Sequence, residues 1–466
     1  MAVDVFYVLS FGFPARTVLH TDLVPELKRR NLSVGVLCPG ASEPEFQALA
    51  RSLGISSWQW GGKTGRLHAK YLQARRYFFE NVMANPALWA RHLRAVEEAQ
   101  GCERLWLRLL IHANGLLKNA RRVRGLLRVF ETRALRSGEV RQLLQVASPR
   151  LVVSTYPVDP LEAIVLKEAQ ELGIKTVVQL LSWDNISCKG RFLAVPDYFL
   201  SWGPIMTKEI IEYYGFSSDH IYETGVAHFD AHYKAVDPAR RRRLLTDMGL
   251  AADSPYLFFG MSSPYFAPRE IDIVTEIAAR VCRGCFGPKL NLVVRPHPLN
   301  VEGSLADPSW LPLLRALESP RVGVSWPALR KSSMRWALDK VDLSNLVCLM
   351  AGCAVNLNSG STFAIDGLAH QKPVVLTLFD GEQHLPWHRS ARRCGDFLHL
   401  RKLIETGGVF VVSNYDQLWN ILERVLANPL QGYEQRRQAL SMECTAIDGR
   451  ACERIAEALA NIIQRL

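Results

Sequence analysis

Short apolar runs of strand length recur along this chain, each followed by a helical stretch and then by another run. Val3 to Ser10 opens the series, and LVVST (151–155), TVVQLL (176–181) and DYFLSW (197–202) continue it. YLFFGM (256–261), LNLVVRP (290–296), AVNLNS (354–359) and PVVLTLF (373–379) carry it through the second half. Strands that alternate with helices pair in parallel, because the chain must cross back over the sheet between them. The pattern therefore predicts a doubly wound α/β fold. A chain of 466 residues exceeds one ordinary core, and composition shifts at the charged, turn-rich stretch 235–255. Two Rossmann-like domains follow, 1–235 and 236–430. The helices of 431–466 close the chain and are expected to pack back on the first domain.

The opening reads as a strand, a loop from Phe11 to Arg16, a helix from Thr17 to Arg30 and a second strand, Ser33 to Leu37. It lacks the glycine-rich GxGxxG, keeping only Gly12. From Gly61 to Gln145 the pattern changes to long basic helices. This segment holds 17 Lys and Arg against 6 Asp and Glu, an excess equal to the formal +11 of the whole chain. The remainder is neutral. Ten scattered cysteines, with one CxxC at Cys282 and Cys285, read as free thiols, because a zinc site would need a second ligand pair. No apolar run reaches the roughly 18 residues of a membrane span, and the N-terminus has no signal-peptide pattern. A cytoplasmic address is expected.

The most specific constellation lies in the second half. LVVRPHP (292–298) ends a strand with Arg295 and His297. The turn Asn358 to Thr362 feeds a helix, where backbone N–H groups and hydroxyls form a ready anion site. Arg295 and His297 from the neighbouring strand would complete a phosphate clamp with Ser359, Gly360, Ser361 and Thr362. Ligands of doubly wound folds sit at the carboxyl ends of strands, where both motifs lie. The alternative is an ordinary helix cap with Arg295 as a surface charge.

The RPHP and NSGST-helix-KPV segments, on two Rossmann-like halves, resemble a GT-B glycosyltransferase. They are similar to the His-Pro-motif sialyl and Kdo transferases of bacterial capsule and lipopolysaccharide assembly, and to CDP-glycerol glycerophosphotransferases. SWDNISCKG (182–190) and TGVAHFD (224–230) are similar to segments of uncharacterised surface-carbohydrate proteins. The resemblance runs from about Leu151 to Phe379. It implies two domains facing a central cleft, with His297, Ser361 and Thr362 on the donor phosphate and Arg295 assisting. It places Asp366 near the nucleotide ribose, and Ser262 and Ser263 towards the phosphates. The chain departs from the sialyltransferases in lacking their D/E-D/E-G motif, which puts a sialic acid donor in doubt.

In an inverting transfer the first domain must supply the base. Asp184 leads, because it follows a buried strand where desolvation raises a carboxylate's basicity. Trp183 offers a face for a sugar, and Asn185 and Lys189 can orient hydroxyls or a charged group. The alternative is a loop whose Asp184 and Asn185 cap the next element while Trp183 fills the core. His20 is the second candidate base, and His228 with Asp230 the third. Retaining chemistry, with a carboxylate as nucleophile, stays open. No cofactor or metal ligand set is evident.

The residues and the resemblance together imply a metal-independent glycosyltransferase moving a sugar from a nucleotide donor, with a CMP-linked one considered, to a growing surface glycan or lipid-linked acceptor. The basic segment would dock to anionic lipid on the inner face of the cytoplasmic membrane, with Trp89, Trp106 and Phe130 at the interface. The alternatives are a nucleotide-sugar epimerase or glycerophosphotransferase on the same fold, then a nonenzymatic basic protein binding membrane or nucleic acid. A nucleic-acid partner is not expected, since basic charge comes here without a recognisable module.

Overall fold

The apolar runs become strands buried on both faces, as a sheet covered by helices on each side requires. The computed structural model describes residues 3–62, 66–117, 120–234, 236–301, 309–329, 332–334 and 340–466. The chain divides into a first unit, Met1–Asp230 with Arg330–Ala337 and Arg450–Leu466, and a second, Ala231–Leu329 with Leu338–Gly449. The division falls at Asp230 and Ala231; Ala235, where the expected boundary was drawn, lies outside the described residues. Of the closing segment 431–466, only Arg450–Leu466 belongs to the first unit.

The first unit holds a seven-stranded sheet made of Val3–Val8 (β1), Val34–Cys38 (β2), Ser56–Gln59 (β3), Pro149–Ser154 (β4), Lys175–Gln179 (β5), Tyr198–Ser201 (β6) and Ile221–Glu223 (β7). Its order is β3-β2-β1-β4-β5-β6-β7, and every pairing is parallel. The chain winds outward in opposite directions from β1 and β4, which makes their carboxyl ends the topological switch point. The closing helix Ala451–Gln464 completes this unit's core, burying Ile455, Leu459 and Ile462 beside Leu23 and Leu27. Asp230 caps it, accepting from the N–H groups of Ala451 at 2.8 Å and Cys452 at 2.9 Å. Asp230 is thereby a structural cap, which argues against its role as a base.

The second unit holds Tyr256–Gly260 (β8), Asn291–Arg295 (β9), Val322–Val324 (β10), Val355–Asn358 (β11), Val374–Thr377 (β12) and Phe410–Val412 (β13). The order is β10-β9-β8-β11-β12-β13, parallel throughout, with its switch point between β8 and β11.

Two expected elements differ. The helix expected from Thr17 to Arg30 is two, Gly12–Leu19 and Leu23–Arg29. Pro25 has no N–H to offer the Thr21 carbonyl, so no continuous helix passes that point. The connector at 235–255 contains a helix, Pro238–Asp247, begun by the Asp237 carboxylate on the Ala239 N–H at 2.9 Å with Pro238 in its first turn.

The basic segment folds as helices Arg66–Phe79, Pro86–Glu98, Gly101–Leu117, Arg121–Ala134 and Gly138–Ala147; its residues 63–65, 118 and 119 lie outside the description. Tyr77, Val82, Leu88, Leu107 and Leu110 form its own small core. Trp89 packs into that core, stacked on His92 at 5.2 Å, so it is not the interfacial anchor expected. No helix among the described residues is long and apolar enough to cross a membrane.

Removing the Asp230 cap strands two buried N–H groups. Asp230→Ala should lose about 2 kcal/mol, which lowers Tm by roughly 4–8 °C for a unit of this size. A thermal scan checks it.

Candidate functional site

A carboxyl group fills each switch point. In the first unit Glu162, on the helix Pro160–Glu171, is fully buried. Its Oε1 accepts from the Ser10 N–H at 3.1 Å and the Ser10 hydroxyl at 2.6 Å, past the end of β1. Its Oε2 accepts from the Ser154 hydroxyl at 2.6 Å and the N–H groups of Thr155 and Tyr156 at 3.1 and 2.8 Å, at the end of β4. One side chain thus ties together the two central strands. Burial pushes its pKa up to about 7, against the pull of the Ser10 and Ser154 hydroxyls.

In the second unit Glu270 opens the helix Glu270–Cys282 and accepts from the Ser262 N–H, past β8, at 2.7 Å. Burial pushes it up to about 8, countered by the Ser359 hydroxyl and by Ser262. Glu270 Oε1 and the Ser262 hydroxyl are buried and, among the described residues, neither completes a hydrogen bond of good geometry, although the hydroxyls of Ser262 and Ser359 lie close enough to lower the carboxyl's pKa. The sequence reading missed both glutamates. Their one signal is a carboxylate in the first turn of a helix, inside PLEAIVL and PREIDIV, where amphipathic spacing would place an apolar residue.

His297, Ser262 with Ser263, and Ser359 to Thr362 follow β9, β8 and β11, which are adjacent in the sheet. His297 follows β9. The Leu299 N–H donates to its Nδ1 at 3.0 Å, so the ring proton sits on Nε2. Burial, with the charge of Arg295, pushes its pKa down to about 4. It is a neutral hydrogen-bond donor. Ser263 is buried in the loop after β8, and its hydroxyl accepts from the Tyr265 N–H at 3.2 Å.

The turn after β11 differs from the expectation of free N–H groups. The Asn358 carboxamide oxygen takes those of Gly360 and Ser361, both at 3.0 Å, while its NH2 donates to Asn356 at 2.9 Å. A buried turn has to satisfy its own backbone before serving a ligand. Gly360 sits at φ +84, and an added Cβ would lie 2.6 Å from the tip of the Leu400 side chain, so any other residue there is strained. Ser359 is buried, its hydroxyl 3.0 Å from that of Thr377. The half-exposed hydroxyls of Ser361 and Thr362 are what the turn presents.

Two expectations are corrected. Arg295 is not poised over a phosphate. It is buried, with a bidentate pair to Asp342 at 2.7 and 2.8 Å and donations to the carbonyls of Ser325 and Trp326 at 3.2 and 3.0 Å. A buried guanidinium must be matched in this way, and it braces the ends of β9 and β10. Asp366 is buried rather than turned to a ribose, with Oδ1 2.7 Å from His232 Nε2; His232 Nδ1 lies 2.8 Å from His370 Nε2. Burial, with His232 and Lys372, pushes the His370 pKa down to about 3.

In the first unit, SWDNISCKG runs on from β5. Trp183 is 4% exposed; an indole that fills the core gives no sugar a face, which corrects that assignment. Asn185 is fully buried, and among the described residues neither its oxygen nor its NH2 has a partner at hydrogen-bond distance. Asp184 and Lys189 remain near the surface and pair at 2.8 Å. Burial pulls the Lys189 pKa down, yet Asp184 and Tyr156 together hold it above the ordinary value.

The loop is braced from the basic insertion. Asn85 donates to the Ser187 carbonyl at 2.7 Å, and Glu80 accepts from the Arg191 N–H at 2.6 Å. Arg75, itself paired with Glu131, donates to the carbonyls of Arg191 and Phe192 at 2.6 and 3.1 Å. Composition alone could not show that a segment read as an addition carries the braces of this loop. His20 is half-exposed and ends the Gly12–Leu19 helix rather than lying inside one. His228 packs edge-on against Trp202 and Phe229.

No protein-family model matches the chain, and no curated protein sequence does. Solved structures do. The Staphylococcus aureus MnaA–UDP co-structure matches with a TM-score of 0.58 at 12% identity, covering 100% of this chain and 98% of that one. The UDP-GlcNAc 2-epimerase from Neisseria meningitidis bound to UDP-GlcNAc gives 0.56 at 12%, covering 98% and 100%. The glycotransferase of kitacinnamycin gives 0.51 at 12%, covering 100% and 99%. The fold is GT-B. At such identities the likeness concerns the fold, which transferases and epimerases share.

Both switch-point carboxyls keep a proton to higher pH in the folded chain than a glutamate's ordinary 4.5 allows in the unfolded one. The folded state therefore binds extra protons over that window, and stability falls as pH rises from about 4.5 towards 7 and 8, then levels off. Thermal unfolding across the window reads the slope. Glu270→Gln is neutral at every pH and should flatten its share; an unchanged slope would mean that Glu270 titrates normally.

Proposed function

We propose that the protein is a glycosyltransferase that moves a sugar from a nucleotide-activated donor to a growing surface glycan or a lipid-linked acceptor. One observation carries this reading. A neutral His297 and the hydroxyls of Ser262, Ser361 and Thr362 lie at the carboxyl ends of adjacent strands around a switch point, in a fold whose solved examples include proteins bound to UDP and UDP-GlcNAc. The acceptor comes to an anionic membrane surface through the basic segment 61–145.

In this reading the second unit binds the donor. His297 donates from Nε2–H to a donor phosphate oxygen, and Ser361 and Thr362 donate their hydroxyls. Glu270, which keeps its proton at neutral pH, adds no repelling charge. Arg295 acts indirectly, fixing the strand end from which His297 projects.

The first unit binds the acceptor. An anionic acceptor group draws Lys189, and the Asp184 carboxylate it leaves takes the proton of the acceptor hydroxyl. That oxygen bonds to the sugar's anomeric carbon while the bond from carbon to phosphate oxygen breaks, and the electron pair leaves with the nucleotide. Groups already aimed at that departing charge lower the barrier most.

Nucleotide-sugar epimerisation is the second reading, kept by the UDP-GlcNAc 2-epimerase among the solved structures. It needs carboxylates open to the sugar, and Glu162 has both oxygens taken by five donors.

Thermal stabilisation by UDP, CMP, CDP, GDP and ADP in parallel tests donor binding, since a ligand of the folded state raises Tm by mass action. One of them should raise it, and His297→Ala should remove most of that rise; an equal rise in wild type and variant sinks the phosphate role. Asp184→Asn should retain the rise and lose about a hundredfold or more of turnover. A changed sugar on an intact nucleotide, with no transfer, would establish the epimerase reading instead.

A further inference from the structure

The helices Gly101–Leu117 and Arg121–Ala134 carry seven of the nineteen exposed large apolar side chains among the described residues. On the first, Leu105, Trp106, Leu109 and Leu116 form one stripe, spaced by four and seven residues along its length. On the second, Leu126, Val129 and Phe130 form another. Leu109 is 56% exposed and Phe130 54%. Exposed Arg104 and Arg108 flank the first stripe, and exposed Arg122 lies one turn before Leu126 on the second.

The first stripe faces outward because the opposite face is fixed. Leu107 and Leu110 are buried in the insertion's core. The Asn114 carboxamide, fully buried, donates to the carbonyls of Tyr77 and Glu80, both at 2.6 Å. These helices are held in place with bare leucines, a tryptophan and a phenylalanine turned to solvent. Exposed apolar stripes of this kind mark an interaction site.

We propose that these two helices lie in the interface of an anionic lipid bilayer, apolar stripes among the acyl chains and arginines on the headgroups. The proposal deepens the acceptor side of the transfer above and rests on that reading for its purpose, while its geometry stands alone. Charge decides between occupants. A second copy of the chain would bring arginines against arginines. Nucleic acid would satisfy the arginines and leave the leucine stripes in water. An anionic bilayer meets both sets at once.

Docking also reaches the acceptor loop. Asn114 holds the turn that ends at Glu80, and Glu80 and Asn85 hold the backbone of Ser187 and Arg191 on either side of Lys189. A lipid surface is thus recognised by helices tied directly to the brace of the Asp184–Lys189 pair.

The experiment is sedimentation of the full chain with vesicles of phosphatidylcholine alone or containing phosphatidylglycerol, at low and high salt. Wild type should bind the phosphatidylglycerol vesicles at least about tenfold more tightly, and salt should weaken that binding. The pair Leu109→Glu and Phe130→Glu, and separately Arg104→Glu with Arg108→Glu, should each reduce it roughly tenfold. All four positions are exposed, so an unchanged Tm should show that the variants fold. Equal binding by wild type and variants overturns the proposal. So does an absence of vesicle binding, whether the same variants then abolish a dimer seen by light scattering or binding to a mixed RNA. The nucleotide-dependent rise in Tm, measured on the same samples, should persist in every variant. Its loss from the wild type would count against the transferase reading and leave the lipid result standing.

Discussion

A parallel sheet leaves a crevice where its central strands part, and in each unit a buried glutamate holds that place. Glu162 receives five donors from the ends of β1 and β4, and Glu270 receives the Ser262 N–H past β8 with the Ser359 hydroxyl beside it. The difference between the two is informative. Glu162 is saturated, so the first switch point is an internal fastening from which the loops after β4 and β5 set out. Among the described residues, Glu270 keeps one oxygen without a hydrogen-bond partner of good geometry, as does its neighbour Ser262. At the second switch point it is the carboxyl itself that is not saturated, and His297, Ser361 and Thr362 follow strands of that part of the sheet.

Much of the fold was legible because parallel strands are apolar on both faces and announce themselves in runs such as YLFFG and NLVVR. Helix breaks and starts were less so. Pro25 and the Asp237–Pro238 pair act through one missing N–H or one capping bond, signals too local to stand out against periodicity. The donor motifs were found by type and position, but their side chains were partly misassigned. Sequence cannot tell that Asp342, 47 residues from Arg295, will claim its guanidinium, or that Asn358 will fill its own turn. Both errors share a cause: a charged or polar residue near a strand end was read as free for a ligand, whereas burial first obliges it to find a partner in the protein.

The SWDNISCKG loop shows the same rule. Its tryptophan and asparagine went inward, leaving Asp184 and Lys189 paired near the surface. The basic insertion, read from composition as a charged addition, joins two tasks that composition cannot separate. Arg75, Glu80 and Asn85 face the loop, while the stripes of the next two helices face outward.

The central claim is that the donor binds at the carboxyl ends of β9, β8 and β11. Hydrogen exchange of backbone amides, with and without the nucleotide that stabilises the chain most, tests it directly. Protection should appear in the loop after Gly260, around His297 to Asn300, and at Ser361 and Thr362, with the amides of Ser10 and Tyr156 unchanged. Protection confined to the first switch point, or none at saturating nucleotide, would contradict it.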